Sequence, residues 1–471
     1  MALAMRFRRF APAAVMAALA LAPRVAGAEA PNPPVRVDIP FTRTTLSNGL
    51  TVIFHEDHAL PFVAVNTMVK VGSHFEEAGR TGFAHLFEHL MFMGTSRAPT
   101  KMFDAWMEGE GGSNNAWTSE DRTDYYDVGP AHSLPLLLWL EADRLSALGH
   151  EMTTEKLDAQ RDVVRNERRQ TSENRPYGKV ELRLPELLFP QGHPYHHPVI
   201  GSHEDLQAAT VDDVKAFFGR WYIPSNASLV VAGDFDPAKV KPEIERLFGW
   251  MPRATAPAEP TAPAPALKEV VRETLQDSVK LPKIIMAWHS PKHFAPGDAE
   301  LDLLAEILQN GKASRLYKAL VYDKPLAQDV TAEEHSQDLS SYFTIEAIAQ
   351  PGVSLDTLEK AIDAELARVR AEPVAAEELT RAKNQFETGF VARLESVPAR
   401  AMMLNTYQQS VGDPGFAQAD LARYSGATVA SVQAAAVKFL DPGARVILRV
   451  VPKDAPPDVK PAPTAAKKGA K

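Results

Sequence analysis

The residues best able to do chemistry stand together in His85-Leu86-Phe87-Glu88-His89. On a helix, side chains four apart lie one turn apart on one face, so both imidazoles can reach a single metal ion. Glu88, one residue before the second histidine, projects beside that pair, where a carboxylate can polarise water on the metal rather than bind the metal itself. The surrounding stretch, Gly82 to Met93, is too apolar for a surface loop, and Gly94 is well placed to end a helix. Two imidazoles and an acid are costly to bury unpaired in so apolar a helix, and a metal removes that cost. His-x-x-Glu-His arises by accident in on the order of a few per cent of chains with this histidine and glutamate content, so a third ligand is needed.

A helix from about Glu155 to Gln170 offers one. Leu157, Gln160, Val164 and Glu167 fall on one stripe of that helix, which puts Glu167 on its apolar side, where a carboxylate requires a partner. That partner is either the metal or one of the adjacent arginines, Arg165, Arg168 and Arg169. With the metal, two histidines and a glutamate leave a fourth tetrahedral position for water, the pattern of a catalytic zinc site. The chain has no cysteine, so thiolate zinc sites, disulfide scaffolds and cysteine nucleophiles are excluded, and any metal must be held by nitrogen and oxygen.

The elements that must carry these residues lie in two blocks, 36–251 and 267–454, separated by the Pro-rich stretch 252–266, which reads as an extended linker. Each block opens with short β-rich runs, continues with helical stretches and closes near a Val-rich strand. Shifting the first block by 218 residues lays His85 to Leu90 over Leu303 to Leu308, so both histidines become aliphatic in the second block. A duplicated α+β domain, in which only the first copy keeps the chemistry, accounts for this pattern.

The chain is 471 residues long, 45% hydrophobic and 24% charged, which bounds it to a folded protein of two to four domains. Its net charge of -9 argues against a nucleic-acid partner. Arg6, Arg8 and Arg9, the apolar run Ala11 to Ala22 and the small residues Val25 to Ala28 read as a signal peptide over 1–28. The run is shorter than the ~20 residues that span a bilayer, and no later segment is apolar enough, so no membrane span is expected. An Ala- and Pro-rich exported chain reads as bacterial, and periplasmic or secreted. Residues 455–471 read as a disordered tail.

The chain resembles the M16 peptidases, a family that includes pitrilysin, insulin-degrading enzyme and the mitochondrial processing peptidase. The likeness runs through GFAHLFEHLMFMGT, GGSNNAWTSEDRTDYYDV, RDVVRNERRQ, HPYHHPVIGSHEDL and NASLVVAGDFD in the first half. ASRLYKAL, RAMMLNTYQQSVGDP and DLARYSGATVASVQAAAVKFL carry it in the second. The motif order is that of the inverzincins, and Glu167, 78 residues beyond His89, matches the family's distal glutamate ligand. The resemblance implies an α+β fold of two homologous domains, each a mixed or antiparallel sheet with helices packed on one face, and two such subunits enclosing a chamber. It implies one zinc ion per chain on His85, His89 and Glu167, with Glu88 as the catalytic base. Gln160 stands where the family often has a supporting acid, seven residues before the distal ligand, so support for the site would come from an amide. Ser113 to Thr118 would be a strand edge beside the zinc, with Asn115 and Ala116 contacting a peptide that adds itself as a further strand; from the residues alone a plain hairpin turn is the reading.

One departure matters. Many family members carry Arg-x6-Tyr in the second half, donating hydrogen bonds to substrate carbonyls. Aligned from Ser314-Arg315-Leu316, those positions hold Val321 and Gln328, while Arg315 and Tyr322 show the spacing in the wrong register. The expected enzyme is thus a zinc endopeptidase for unfolded peptides, the zinc-bearing half of a pair whose second M16-like subunit supplies the Arg/Tyr donors, or a homodimer. The alternative is a non-catalytic peptide-binding or assembly subunit with structural zinc. His193, His196 and His197 read as polar loop residues rather than a second metal site, the tryptophans as packing, and Arg165 to Arg169 as a solvated helix face. Neither a phosphate loop nor G-x-S-x-G occurs.

Overall fold

The computed structural model describes residues 35–453; the expected signal peptide, 1–28, and tail, 455–471, lie outside the described residues. Two sheets organise the chain. The first comprises β1 (Thr42–Thr45), β2 (Thr51–Glu56), β3 (Phe62–Val69), β4 (Ser113–Thr118), β5 (Thr123–Pro130) and β6 (Ala227–Gly233), in the order β1-β2-β6-β3-β5-β4. The second comprises β7 (Val271–Asp277), β8 (Lys283–Ser290), β9 (Ala327–His335), β10 (Ser341–Ala349) and β11 (Val446–Pro452), in the order β7-β11-β8-β10-β9. Without β1 the two orders are the same. In each, the last strand in sequence pairs parallel with the first, and the other pairings are antiparallel. The 218-residue shift starts β5 on the first residue of β10, so the repeat read from the sequence is a repeat of topology.

Strand composition follows the covering on each face. In β3, Val63, Val65 and Val69 pack on the first core, built from the first half's own helices, α1 (Phe83–Leu90), α2 (Met102–Gly109), α3 (Leu134–Ala147) and α4 (Thr154–Arg168) among them. The opposite face, with Asn66 and Met68, is covered by helix Val397–Val411 from the second half. The exchange is reciprocal. In β8, Ile284, Met286 and Trp288 face the second half's own core, whereas Ile285 and Ala287 pack on Val180, Leu184 and Leu188 of α5 (Lys179–Leu188), a first-half helix. Each sheet therefore has its own helices on one face and a helix from the other half on the second. Residues 252–266 carry neither helix nor strand.

The exchanged helix Val397–Val411 brings polar groups into the first sheet, and each is matched. Asn405, fully buried, donates through Nδ2 to Asn66 Oδ1 at 2.7 Å and to Asn66 O at 3.1 Å, and accepts from the Ser228 hydroxyl. Gln409 donates to Ser228 Oγ at 2.6 Å. Asn405→Ala leaves the Asn66 amide oxygen and the Ser228 proton buried and unpaired. It should lower stability by about 2–4 kcal/mol, read as a lower midpoint in urea unfolding.

Candidate metal centre

Helix α1 exists because its buried face is almost wholly apolar: Phe83, Ala84, Leu86, Phe87 and Leu90 are all inaccessible. It starts after Gly82, whose φ of 86° only glycine adopts readily, and the chain turns away at Gly94, φ 73°. Helix α4 starts at Thr153, whose side chain accepts from Lys156 N, and buries Leu157 and Val164 against the same core. It runs on into a π-helical turn, Arg169–Glu173, that begins two residues after Glu167.

The two helices bring three ligand atoms into one triangle. His85 Nε2 and His89 Nε2 are 3.3 Å apart, and Glu167 Oε2 stands 3.2 Å from His89 Nε2 and 3.7 Å from His85 Nε2. Tetrahedral zinc with bonds near 2.1 Å holds its ligand atoms about 3.4 Å from one another, so the edges fit zinc. A Glu88 oxygen lies within 4.8 Å of the imidazole nitrogens. The side chains of His85, His89 and Glu167 are 12%, 22% and 36% exposed, leaving the triangle open on one side. The arginines that could have paired with Glu167 are engaged elsewhere. Arg165 meets Gln207, Arg168 meets Glu173 and the Gly201 carbonyl, and Arg169 meets Asn166. The basic run is thus partly inward, tying α4 to its neighbours rather than forming the solvated face expected.

The electrostatics suit a cation. Burial, then the nearby His89, pushes His85 down to about 4, so it presents a neutral imidazole. A hydrogen bond from His89 holds Glu167 below the usual carboxylate range, and proximity to both imidazoles adds to it. Glu88 differs: burial pushes its carboxyl up, partly offset by the hydroxyl of Thr118, which donates to Oε2 at 2.6 Å.

Thr118 ends β4, an edge strand of the first sheet, which among the described residues pairs only with β5. Asn115 is exposed on it, and Ala116 shares the Thr118 face, half-buried against the core. The segment is a strand rather than the hairpin turn its glycines and asparagines signal. The turn after β4 is held by the second half. Arg122 forks onto Asp338 at 2.9 and 2.8 Å, and Asp121 accepts from Asp338 N at 3.1 Å and from the Tyr195 hydroxyl.

A cleft of about 470 Å³ opens beside His85 and Thr118. Its far wall includes His335, Tyr342, Thr344 and Glu346 of the second half.

Some expected positions stand elsewhere. Gln160 lies two turns, about 10.5 Å along the axis, before Glu167, and its amide donates to Met93 Sδ at 2.8 Å. Val321 packs half-buried on the second core and Gln328 is exposed on β9; neither is among the described residues lining the cleft. Arg315 is forked by Glu378 at 2.8 and 2.6 Å, and Tyr322 is 76% exposed. His193, 7% exposed, stacks on Phe189, and His197 meets the buried Glu76 at 2.9 Å, so the histidine loop is packed rather than merely polar. Thr118 lay within reach of the sequence, two residues from Ala116 on the same strand face. Glu76, Asp338 and Tyr342 gave no local signal.

Comparison with known proteins fits this geometry. Residues 51–196 match the profile of the insulinase (peptidase family M16) domain, and residues 208–386 that of the peptidase M16 inactive domain. The zinc protease PqqE of Helicobacter pylori is 30% identical over 359 residues, covering 75% of this chain and 80% of the relative. The crystal structure of a protease from Helicobacter pylori superposes with a TM-score of 0.82 at 26% identity, over 88% of this chain and 99% of the other. The first half of the periplasmic protease PqqL from Escherichia coli shares the fold, with a TM-score of 0.72 at 20% identity, over 89% and 93% of the two chains. The chain belongs to the M16 peptidase family.

Proposed function

We propose that the chain is a zinc-dependent endopeptidase of unfolded peptides, with one zinc per chain held by His85, His89 and Glu167. The observation that carries this is the ligand triangle, with edges of 3.2, 3.3 and 3.7 Å, closed by residues from two separate helices. Zinc bound there supplies Lewis-acid activation of water and of the scissile carbonyl. Glu88 is the general base. Thr118 occupies its Oε2, which leaves Oε1 to take a proton from the attacking water and return it to the leaving amine. The raised affinity of Glu88 for a proton serves both transfers.

The free edge of β4 receives the substrate as an added strand, with Asn115 and Ala116 among its contacts, so recognition rests on backbone hydrogen bonds and depends little on sequence. The active unit encloses a chamber, formed with a second M16-like subunit that contributes an Arg/Tyr pair. Support for this is the absence of such donors at Val321 and Gln328 and the engagement of Arg315 by Glu378. The proposed division is a zinc-binding domain over 36–251, a linker over 252–266 and a degenerate copy over 267–454. The pattern of residues 1–28 supports a periplasmic or secreted location. Among the described residues no helix is long and apolar enough to cross a membrane.

Glu88→Gln should abolish peptide cleavage while zinc content stays near one per chain; retained cleavage overturns the mechanism. His89→Ala and Glu167→Ala should instead lose zinc, measured by metal analysis after dialysis against a weak chelator. Wild-type protein with zinc but no cleavage, alone or with any M16-like partner, would favour the assembly-subunit alternative. For the two-chain reading, the purified chain alone should cleave an unfolded peptide slowly and an Arg/Tyr-bearing partner should accelerate it. Full activity alone, unchanged by Val321→Ala and Gln328→Ala, removes the partner and leaves the zinc mechanism standing.

A further inference from the structure

The triangle needs α1 and α4 held at a fixed separation, yet the two helices come from segments some seventy residues apart. One stretch of chain, 197–209, touches both. On the α1 side, His197 Nε2 lies 2.9 Å from Glu76 Oε2, and the Glu76 carboxylate, with no exposed side-chain surface, accepts from Gly82 N at 2.9 Å and Ala84 N at 2.7 Å. Those amides belong to the first turn of α1, which has no capping side chain of its own, so Glu76 supplies the missing acceptor from outside the helix. Thr81, just before the helix, donates its amide to Asp205 Oδ2 at 3.0 Å and accepts through Oγ1 from Ser202 N at 3.0 Å. Gly201 packs directly on Gly82. A Cβ on Gly201 would overlap the backbone of Gly82 and Thr81, and one on Gly82 would stand 2.8 Å from Ile200 O.

On the α4 side, the carbonyl of the same Gly201 accepts from Arg168 Nη1, one residue beyond Glu167. Arg168 Nε and His203 Nε2 meet on Glu173 at 3.0 and 2.9 Å. Arg161 donates to Leu206 O at 2.9 Å and to Ala209 O. Gly201 is thus the node at which the two ligand-bearing helices are tied to one backbone position, three residues before His85 on one side and one after Glu167 on the other.

We propose that segment 197–209 is a brace that sets the spacing between α1 and α4, with Gly201 as its node and Arg168, Glu76 and His197 as positioning residues for the metal triangle. None of them belongs to the triangle; each acts through the helix it holds. This rests on the zinc reading above. Outer contacts that orient ligands typically change metal affinity 10–100-fold when removed.

The charge of Arg168 makes the idea testable against a plain electrostatic role. Removing a cation beside a cation site should tighten zinc if charge is all that Arg168 contributes, whereas losing the brace loosens it. The experiment uses the full mature chain, measuring zinc affinity by chelator competition, the visible band of the cobalt(II)-substituted protein, and thermal unfolding of the metal-free form. Arg168→Ala is expected to unfold cooperatively, bind zinc 10–100-fold more weakly and show a weakened, shifted cobalt band, with Arg168→Lys recovering most of both. Gly201→Ala should do the same or worse; if neither folds, Arg161→Ala, which frees α4 from Leu206 and Ala209, carries the same direction. Wild-type affinity and band in a folded Arg168→Ala or Arg161→Ala variant overturn the brace alone. Wild-type protein that takes up no zinc overturns the site reading and the brace with it.

Discussion

Three ligand atoms within 3.2–3.7 Å of one another, on two helices far apart in sequence, are the constraint on which the rest of the molecule depends. Unpaired, two imidazoles and a carboxylate at that spacing would be a costly arrangement against the apolar helix α1. Their spacing rests on the direct packing of α1 against α4 in the first core and on ties from outside the two helices. The first sheet supplies the floor, the segment 197–209 the lateral tie, and Thr118 on β4 the hold on Glu88.

The duplicated topology explains how the first half can spend its interior on polar chemistry. In the second half the 218-residue shift puts Leu303 and Ile307, both wholly buried, where the first half has His85 and His89, and Gln385 where it has Glu167. That half has an apolar core at the equivalent positions. It sends helix Val397–Val411 to close the open face of the first sheet and receives α5 in return. Because each sheet is completed by the other half, the two share one interior, and the wall of the cleft from β9 and β10 is fixed relative to the triangle.

What could be read from the sequence is what short-range spacing encodes. His85, Glu88 and His89 are a local pattern on one helix, and Glu167 was placed by helical periodicity against Leu157 and Val164. The duplicated α+β domain followed from the weak register of apolar runs, and its sheets with helices on one face from the family resemblance. What could not be read is set by contacts across long separations: Glu76 on the amides of α1, Asp338 on Arg122, Tyr342 in the cleft wall. Gln160 was expected to act from the family resemblance, which gives a position and not the partner that an amide finds there, here Met93. The histidines of HPYHHP misled for a related reason, since prolines mark a loop without saying whether the loop is covered. Arg165 and Arg168 were assigned to solvent because the short helix His203–Ala208 and its flanking carbonyls, which receive them, have no signature of their own.

On the proposed function, the position of Thr118 ties recognition to chemistry through one strand. Its hydroxyl orients Glu88, and its backbone belongs to the edge on which a peptide would pair. A strand that pairs on both sides is held to a narrower range of twist than one that pairs on one side only. Substrate addition would therefore stiffen the residue that aims the base. The opposite end of the constraint is already in place: the turn after Thr118 is anchored by the fork of Arg122 on Asp338 and by Asp121 on the Asp338 amide, both contacts to the second half. With its exit fixed and its outer edge free, β4 has one remaining degree of order to gain. On the proposed mechanism, the group that gains it is the one that decides whether Glu88 points its open oxygen at the attacking water.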